Sequence, residues 1–388
     1  MVKNENGLTA ISGRIDSTNA KEFEDELFSA LNDEDGDITL DGDGLEYISS
    51  AGLRVFLKLK KQTGKNITLL NVSKDVYDIF DVTGFSNLIN VEKKLREIST
   101  ANLEVIGAGG NGTVYRMDAD TIVKVYNENN SPERIKAERE TSRKAFIKGI
   151  PTAISYDFVK ADGYYGIVYE MINAKTLAQI IENEPDKLEY YAKECAKLLK
   201  QLHTTEFEPG ELPDAKECCR YWVKGFGPYL NEEEKKKVLG VIDKIPVRNT
   251  FIHGDFHISN ILLQDGELIL IDTGDSALGH PIVDLSSMAL VYIFALKNPK
   301  VLYKIAHITP ERSVRFWDVF MKAYFGTDDD ALIKKYTDEI VYFAFIKYIW
   351  GIDRTLTVAP EIKAQAINYG KNSLLAGVDK EYSILADI

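Results

Sequence analysis

The sequence predicts two domains: an α/β unit of alternating strands and helices, then an α+β unit that opens strand-rich and ends almost wholly helical. Three observations carry this. Residues 1–92 run in the order β-α-β-α-β-α. Near residue 101 a glycine-rich segment opens a run of strand-like stretches. Beyond Leu177 the pattern is helical, interrupted by a hairpin around Asp265. At 388 residues the chain is long enough for each part to bury its own core.

In the front domain, strands are expected at Gly7–Ile11, Asp37–Leu40 and Asn66–Leu70, the last carrying an Ile-Thr-Leu-Leu run. Helices are expected at Asn19–Leu31, Ala51–Lys61 and Val76–Val82. This order implies a sheet with its helices on one face. A strand end at Leu45–Ile48 precedes Ser49-Ser50 and the Ala51 helix. Residues 93–100, from the charged run Glu92–Glu97 into Ile-Ser-Thr, are expected to link the domains. The second domain divides into a strand-rich part, 101–173, and a helical part, 174–388. Its elements begin with strands at Thr113–Tyr115 and Thr121–Tyr126, a helix over Ser131–Ile147 and a strand at Tyr165–Glu170. The last helices are expected at Ser313–Phe325, Ala331–Ile349 and Pro360–Ala376.

Composition narrows the function. A net charge of −13 argues against a nucleic-acid surface, since phosphate neutralisation needs a basic patch. The first fifty residues hold thirteen acids and three bases, either a solvated acidic face or a docking surface for a basic partner. Cys195, Cys218 and Cys219 make neither a disulfide framework nor a zinc spacing, which fits a reducing cytosol and a cytoplasmic location. Met1–Gly7 lacks the apolar core of a secretory signal. The apolar stretches Leu285–Leu296 and Ile340–Ile352 are too short, or broken by Lys347, so no membrane span is expected.

The chemistry concentrates in Phe251-Ile-His-Gly-Asp-Phe-His-Ile-Ser-Asn260, followed by Ile269-Leu-Ile-Asp-Thr-Gly274. Two apolar runs around Asp265-Gly266 read as a hairpin that returns Asp272 towards Asn260. Two hard oxygen ligands beside a carboxylate, Asp255, that can orient a hydroxyl meet the needs of metal-assisted phosphoryl transfer. Asp275 adds a further acid beside them.

Gly107, Gly109 and Gly112 have the Gly-x-Gly-x-x-Gly spacing, which taken alone marks no more than a turn. Strands rather than a helix follow, so a glycine hairpin covering nucleotide phosphates fits better than a dinucleotide-binding turn. Lys124 lies in the apolar strand Ile-Val-Lys-Val, where an exposed lysine would be ordinary. A glutamate on the next helix could hold its ammonium against the α- and β-phosphates of ATP. Glu140 is favoured; Glu138, on another helix face, is the competing partner.

The ordered set of glycine hairpin, strand lysine, helix glutamate, His-Gly-Asp-x-x-x-x-Asn and strand-end aspartate resembles the aminoglycoside phosphotransferase and choline-kinase-like superfamily, over residues 101–388. The resemblance implies a bilobal protein-kinase-like fold and an ATP- and Mg²⁺-dependent phosphotransferase acting on a small-molecule hydroxyl. It implies that Asp255 orients or deprotonates that hydroxyl, that Asn260 and Asp272 hold Mg²⁺, and that Lys124 with Glu140 positions the phosphates. The backbone near Glu170 and Ile172 would meet adenine, and Asp284 would buttress the catalytic loop. Thr273-Gly274 after Asp272 departs from Phe-Gly, and only twelve positions separate Asp272 from Asp284, leaving no room for a long activation segment.

Residues 1–92 resemble the STAS domain of anti-sigma factor antagonists, through Ile11–Asp16, Leu45–Leu53 and Ile79–Phe85. In that family a serine at the start of the central helix is phosphorylated, and Ser50 stands at the matching position. Serine at that place also caps the helix, and Ser49 replaces the aspartate common before the phosphoserine. A regulatory or protein-partner role for this domain follows from the resemblance. Two other readings stay open: a signalling protein whose kinase-like part phosphorylates a protein serine such as Ser50, and a non-catalytic nucleotide sensor.

Overall fold

The computed structural model describes residues 1–5, 8–31, 36–354 and 359–388. The chain divides into two compact units, Met1–Ser99 with Val159–Gly163, and Thr100–Phe158 with Tyr164–Ile388.

The first unit is built on a five-stranded sheet in the sequential order Val2–Glu5, Leu8–Ile15, Ile38–Ile48, Ile67–Val72, Asn90–Lys93. The first pair is antiparallel and the other three are parallel. Each parallel step passes through a helix: Ala20–Ala30, Ser50–Thr63 or Lys74–Val82. All three steps move the same way across the sheet, so right-handed crossovers put the helices on one face. The strands bury alternate residues accordingly. Ile11, Ile15, Leu40, Ile48 and Leu69 meet Phe23, Phe56 and Phe80, one aromatic from each helix. The Phe56 ring lies 5.9 Å from Phe23 and 5.6 Å, edge-on, from Phe80.

Three details differ from expectation. The edge strands Val2–Glu5 and Asn90–Lys93 are short and rich in polar side chains, so they show little alternation. Asp37–Leu40 and Leu45–Ile48 belong to one strand, Ile38–Ile48. The intervening Asp-Gly-Asp-Gly, which reads as a turn, is absorbed by a bulge in the pairing with Leu8–Ile15. Gly7, at the start of one expected strand, lies outside the described residues. Arg96–Ile98, within the expected link, pairs in parallel with Val159–Ala161.

In the second unit, Glu104–Ala108, Gly112–Arg116, Thr121–Tyr126 and Tyr164–Glu170 lie side by side, all antiparallel. The helix Pro132–Ile147, capped by the Ser131 side chain, follows the third of these strands. The helical remainder includes Leu188–Thr204, Ala215–Lys224, Ile282–Tyr292, Pro310–Phe325, Asp330–Arg354 and Pro360–Leu375. Its core is dense in aromatics, with Tyr292 stacked on Phe316 at 4.6 Å. Between Ala215–Lys224 and Asp330–Arg354 a narrow cavity has room for about one water molecule. Among the described residues no helix is long and apolar enough to cross a membrane.

Candidate active site

The strand Phe251–Ile252 pairs with Ala277–Leu278 and delivers the loop His253–His257. Gly254 has φ +82°, and a Cβ there would stand 2.3 Å from the Asp275 carbonyl oxygen. Only glycine lets the loop pass so close to the segment after Asp272. Asp284, fully buried at the start of the Ile282–Tyr292 helix, accepts the His253 amide at 2.9 Å and the Gly254 amide at 2.6 Å. His203 Nε2 reaches the same carboxylate at 3.1 Å, with its other ring nitrogen 2.7 Å from the Tyr324 hydroxyl. Burial pushes the Asp284 carboxyl up, but His203 and the loop amide outweigh it and the net direction is down. The buttressing aspartate is therefore held in turn by His203, from the last turn of the Leu188–Thr204 helix.

Asp255 is half exposed. The Asn260 side-chain amide donates to its backbone carbonyl at 3.0 Å and to its carboxylate at 3.3 Å. His257 accepts the Ser259 amide on Nδ1, so the neutral ring carries its proton on Nε2, which faces the Asp255 carboxylate at 3.6 Å. Desolvation raises the Asp255 carboxyl, yet His257, Lys347 and His253 together hold it below the usual carboxylate range. Asp255 is ionised at any working pH.

The hairpin forms as its sequence requires. Ile261–Gln264 pairs with Glu267–Leu270, and Asp265 and Gly266 both have positive φ, as a type I′ turn demands. Ile271 then donates its amide to the Asn260 carbonyl at 3.0 Å, which brings Asp272 beside Asn260. Asp272 itself sits at φ +62° with its side chain 40% exposed, one oxygen 2.9 Å from Lys124 Nζ.

Lys124 is the junction of the strand-rich and helical parts. Its ammonium bonds Asp272 and Glu138, each at 2.9 Å, and lies over the Tyr126 ring. Burial lowers the affinity of this amine for its proton, but the two carboxylates overcome that and raise it. The expected partner Glu140 is not there. It is exposed and pairs with its neighbours Arg139 and Arg143. Two residues are about 200° of helix rotation, so only one of the pair can face the strand. Glu138 shares the buried stripe of Ile135, Thr141, Ser142 and Ala145 and also accepts the Tyr126 hydroxyl at 2.6 Å. That stripe was the signal that could have identified it.

The glycine segment is a hairpin. A Cβ at Gly112 would lie 2.1 Å from the Val125 carbonyl oxygen, whereas the space beside Gly109 is open. Gly107 is at the bulge of the pair. Asn127 donates to the Gly110 carbonyl at 2.7 Å and Asn130 to that of Asn111 at 3.2 Å, so two asparagines unnoticed in sequence tie the tip to the next segment. At the end of the Tyr164–Glu170 strand, Glu170 turns its side chain to the Ile154 amide at 2.7 Å. The Ile172 amide donates to no group among the described residues, and the Ile172 carbonyl accepts from Ala174.

Asp275 makes two ion pairs at 3.6 Å, to Arg134 and to Lys347. It thereby bridges the two cations. Lys347, from the Asp330–Arg354 helix, donates to the Gly254 carbonyl and to Ser287 Oγ. Sequence reasoning had treated it only as a charge interrupting an apolar run.

Burial lowers His280 to about 4, with the Arg248 charge acting in the same direction. In an unfolded chain histidine titrates near about 6.5, so the unfolded state binds more protons between those values. Stability of this unit must then fall as pH drops from about 7 towards 4, by up to about 3 kcal/mol from this residue. Buried His253 is lowered too and adds to the trend. Trp222, Trp317 and Trp350 all lie in the second unit, so their fluorescence reports it selectively. His280→Asn should flatten the dependence of melting temperature on pH; an unaltered slope would refute this origin.

A catalytic loop, a hairpin-borne carboxylate and a lysine–glutamate pair of this geometry define a phosphotransferase. Residues 102–317, more than half of the chain, match the model of the phosphotransferase enzyme family, and the chain belongs to that family. Residues 2–98 match the STAS domain. Over 97 residues the chain is 32% identical to an anti-sigma factor antagonist, BtrV, of Bordetella bronchiseptica, covering 24% of this chain and 83% of that protein. It is 30% identical over 96 residues to the anti-sigma-B factor antagonist of Bacillus subtilis, covering 24% of this chain and 87% of that one. Among solved structures, the ADP-bound aminoglycoside phosphotransferase APH(2'')-Ib is similar at a TM-score of 0.46 and 15% identity, covering 76% of this chain and 97% of that one. A choline/ethanolamine kinase family protein from Mesorhizobium loti gives 0.46 and 16%, over 74% and 92%.

Proposed function

We propose that the second unit transfers the γ-phosphate of ATP to a hydroxyl of a small molecule. The observation that carries this is the way five residues come together: Asn260 bonds the half-exposed Asp255, the Ile271 amide bonds the Asn260 carbonyl and so sets Asp272 beside it, and Asp272 and buried Glu138 share Lys124. Asp255 receives the acceptor hydroxyl and takes its proton. Lys124, held by Glu138, presents its ammonium to the α- and β-phosphates, and the open backbone around Gly109 leaves room for the phosphates beneath the hairpin. The Ile172 amide, which donates to no group among the described residues, offers a donor to adenine just past Glu170.

The donor set suits Mg²⁺. Asn260 spends its amide nitrogen on Asp255, which leaves its oxygen for a metal, and Asp272 has a second carboxylate oxygen beyond the one on Lys124. No group of three or more His, Cys, Asp or Glu side chains that could hold a metal occurs among the described residues. One amide and one carboxylate match a cation that completes its shell with phosphate oxygens and water. When bound, Mg²⁺ would neutralise charge on the phosphates. Asp272→Ala should weaken Mg²⁺-dependent nucleotide binding at least about tenfold by titration calorimetry while leaving metal-free binding little changed.

A small acceptor is favoured over a polypeptide because the twelve positions from Asp272 to Asp284 are consumed by the Ala277–Leu278 strand and its pairing with Phe251–Ile252. The first unit is then a regulatory or protein-binding module. A second reading has one observation behind it. Ser49, not Ser50, caps the central helix, accepting the Ala51 amide at 3.3 Å. Ser50 is exposed at the first helical position, where a phosphate would meet free amides and the helix dipole.

Incubation of the protein with labelled ATP, Mg²⁺ and a panel of hydroxyl compounds, with Asp255→Asn as control, tests both. Label on a small acceptor supports the first reading and label on Ser50 the second. Nucleotide binding without transfer to either would refute both in favour of a sensor.

A further inference from the structure

Lys347 is the one cation brought to the catalytic loop from outside both the strand-rich part and the loop itself, as far as the described residues show. It lies beyond residue 317, where the family match ends. Its side chain is 20% exposed, and four elements converge on it: its own helix, the loop through the Gly254 carbonyl, the Ile282–Tyr292 helix through Ser287 Oγ at 3.3 Å, and the segment after the hairpin through Asp275 at 3.6 Å. Gly254 is the residue before Asp255 and can move neither towards Asp275 nor away from Asp284, which holds its amide. An ammonium on its carbonyl therefore closes the last free direction of that peptide.

We propose that Lys347 is a positioning residue for Asp255, fixing through the Gly254 carbonyl the peptide that carries the base. This rests on the phosphotransfer reading given above. Other charges face Asp255 as well. His253 and His257 stand on its own loop, Asp272 and Asp275 follow the hairpin, and Asp284 lies beneath the loop. Among these groups, Lys347 is the lysine that bonds the peptide next to the base. Its own proton is held more tightly than usual: burial opposes the charge, but Asp275, Asp255 and Asp284 prevail. Lysine here stays charged across the range in which Asp255 works.

The test uses the full chain with Lys347→Met and Lys347→Arg, and reads γ-phosphate release from Mg²⁺-ATP, with water as acceptor, as separate kcat and KM values beside Mg²⁺-ADP affinity. In Lys347→Met kcat should fall at least about tenfold while KM and Mg²⁺-ADP affinity stay within about threefold. Lys347→Arg should recover part of the turnover. Wild-type turnover in Lys347→Met overturns the proposal, as does a loss of Mg²⁺-ADP affinity as large as the loss of turnover. Should Lys347→Met not fold, Lys347→Gln is read in the same way. If Asp255→Asn turns over like wild type, the phosphotransfer reading is what fails.

Discussion

In Asp255→Asn, turnover falls at least about a hundredfold, the scale of losing a positioned general base, while Mg²⁺-nucleotide affinity stays within about threefold. The expectation follows from the partners of this side chain. Asparagine keeps the shape and can still accept the Asn260 amide, so the loop, pinned through Gly254 by Asp284, has no reason to move. What disappears is the charge. His257, Lys347 and His253 all act to keep Asp255 anionic, and an amide at that position can neither take a proton nor draw a hydroxyl towards it. Lys124 and Asp272, the groups proposed to face the nucleotide, are bonded to each other. Initial rates with labelled ATP and calorimetry with Mg²⁺-ADP separate the two effects. Turnover near that of wild type would remove Asp255 from the chemistry.

Glu138→Ala should be nearly as damaging, by a different route. Glu138 is the buried partner of Lys124 and the acceptor of the Tyr126 hydroxyl, and its carboxylate also packs against Gly274. Removing it leaves a hydroxyl and an ammonium without their acceptor in a largely desolvated place. The stability cost is about 2–4 kcal/mol, somewhat below that of breaking an isolated buried pair because Asp272 still neutralises Lys124. Turnover should fall on the order of a hundredfold, since a shift of about 1 Å in the phosphate-facing ammonium is enough for that. Glu140→Ala, which loses only exposed contacts to Arg139 and Arg143, should keep wild-type stability and turnover within about twofold. Thermal melts and rates on the two variants decide between them. Equal behaviour of the pair would contradict the assignment of Glu138.

The contrast between those glutamates marks where reading residues in order succeeds and where it stops. The hairpin was legible because Asp265-Gly266 sits between two apolar runs, a local pattern with one local solution. The βα order of the first unit was legible for the same reason. The loop that carries Asp255 and Asn260 declares itself because a carboxylate and an amide lie five positions apart after His253-Gly254. Choosing between Glu138 and Glu140 required the phase of a helix whose charged residues nearly surround it, and its buried side shows only as a sparse stripe through Ile135 and Ala145. Lys347 and His203 could not be found this way. Their partners, Gly254 and Asp284, are 93 and 81 positions away, and nothing near either residue announces them. The edge strands Val2–Glu5 and Asn90–Lys93 escaped because each has only one neighbour to satisfy and can remain polar.

The long C-terminal helix has a consequence for how such a protein is compared with others. Its lysine reaches the loop of Asp255 from 93 positions away, outside the residues 102–317 that match the family model. Two chains with the same loop, letter for letter, can therefore differ at the cation that touches it, and a comparison confined to the motif would score them as equivalent.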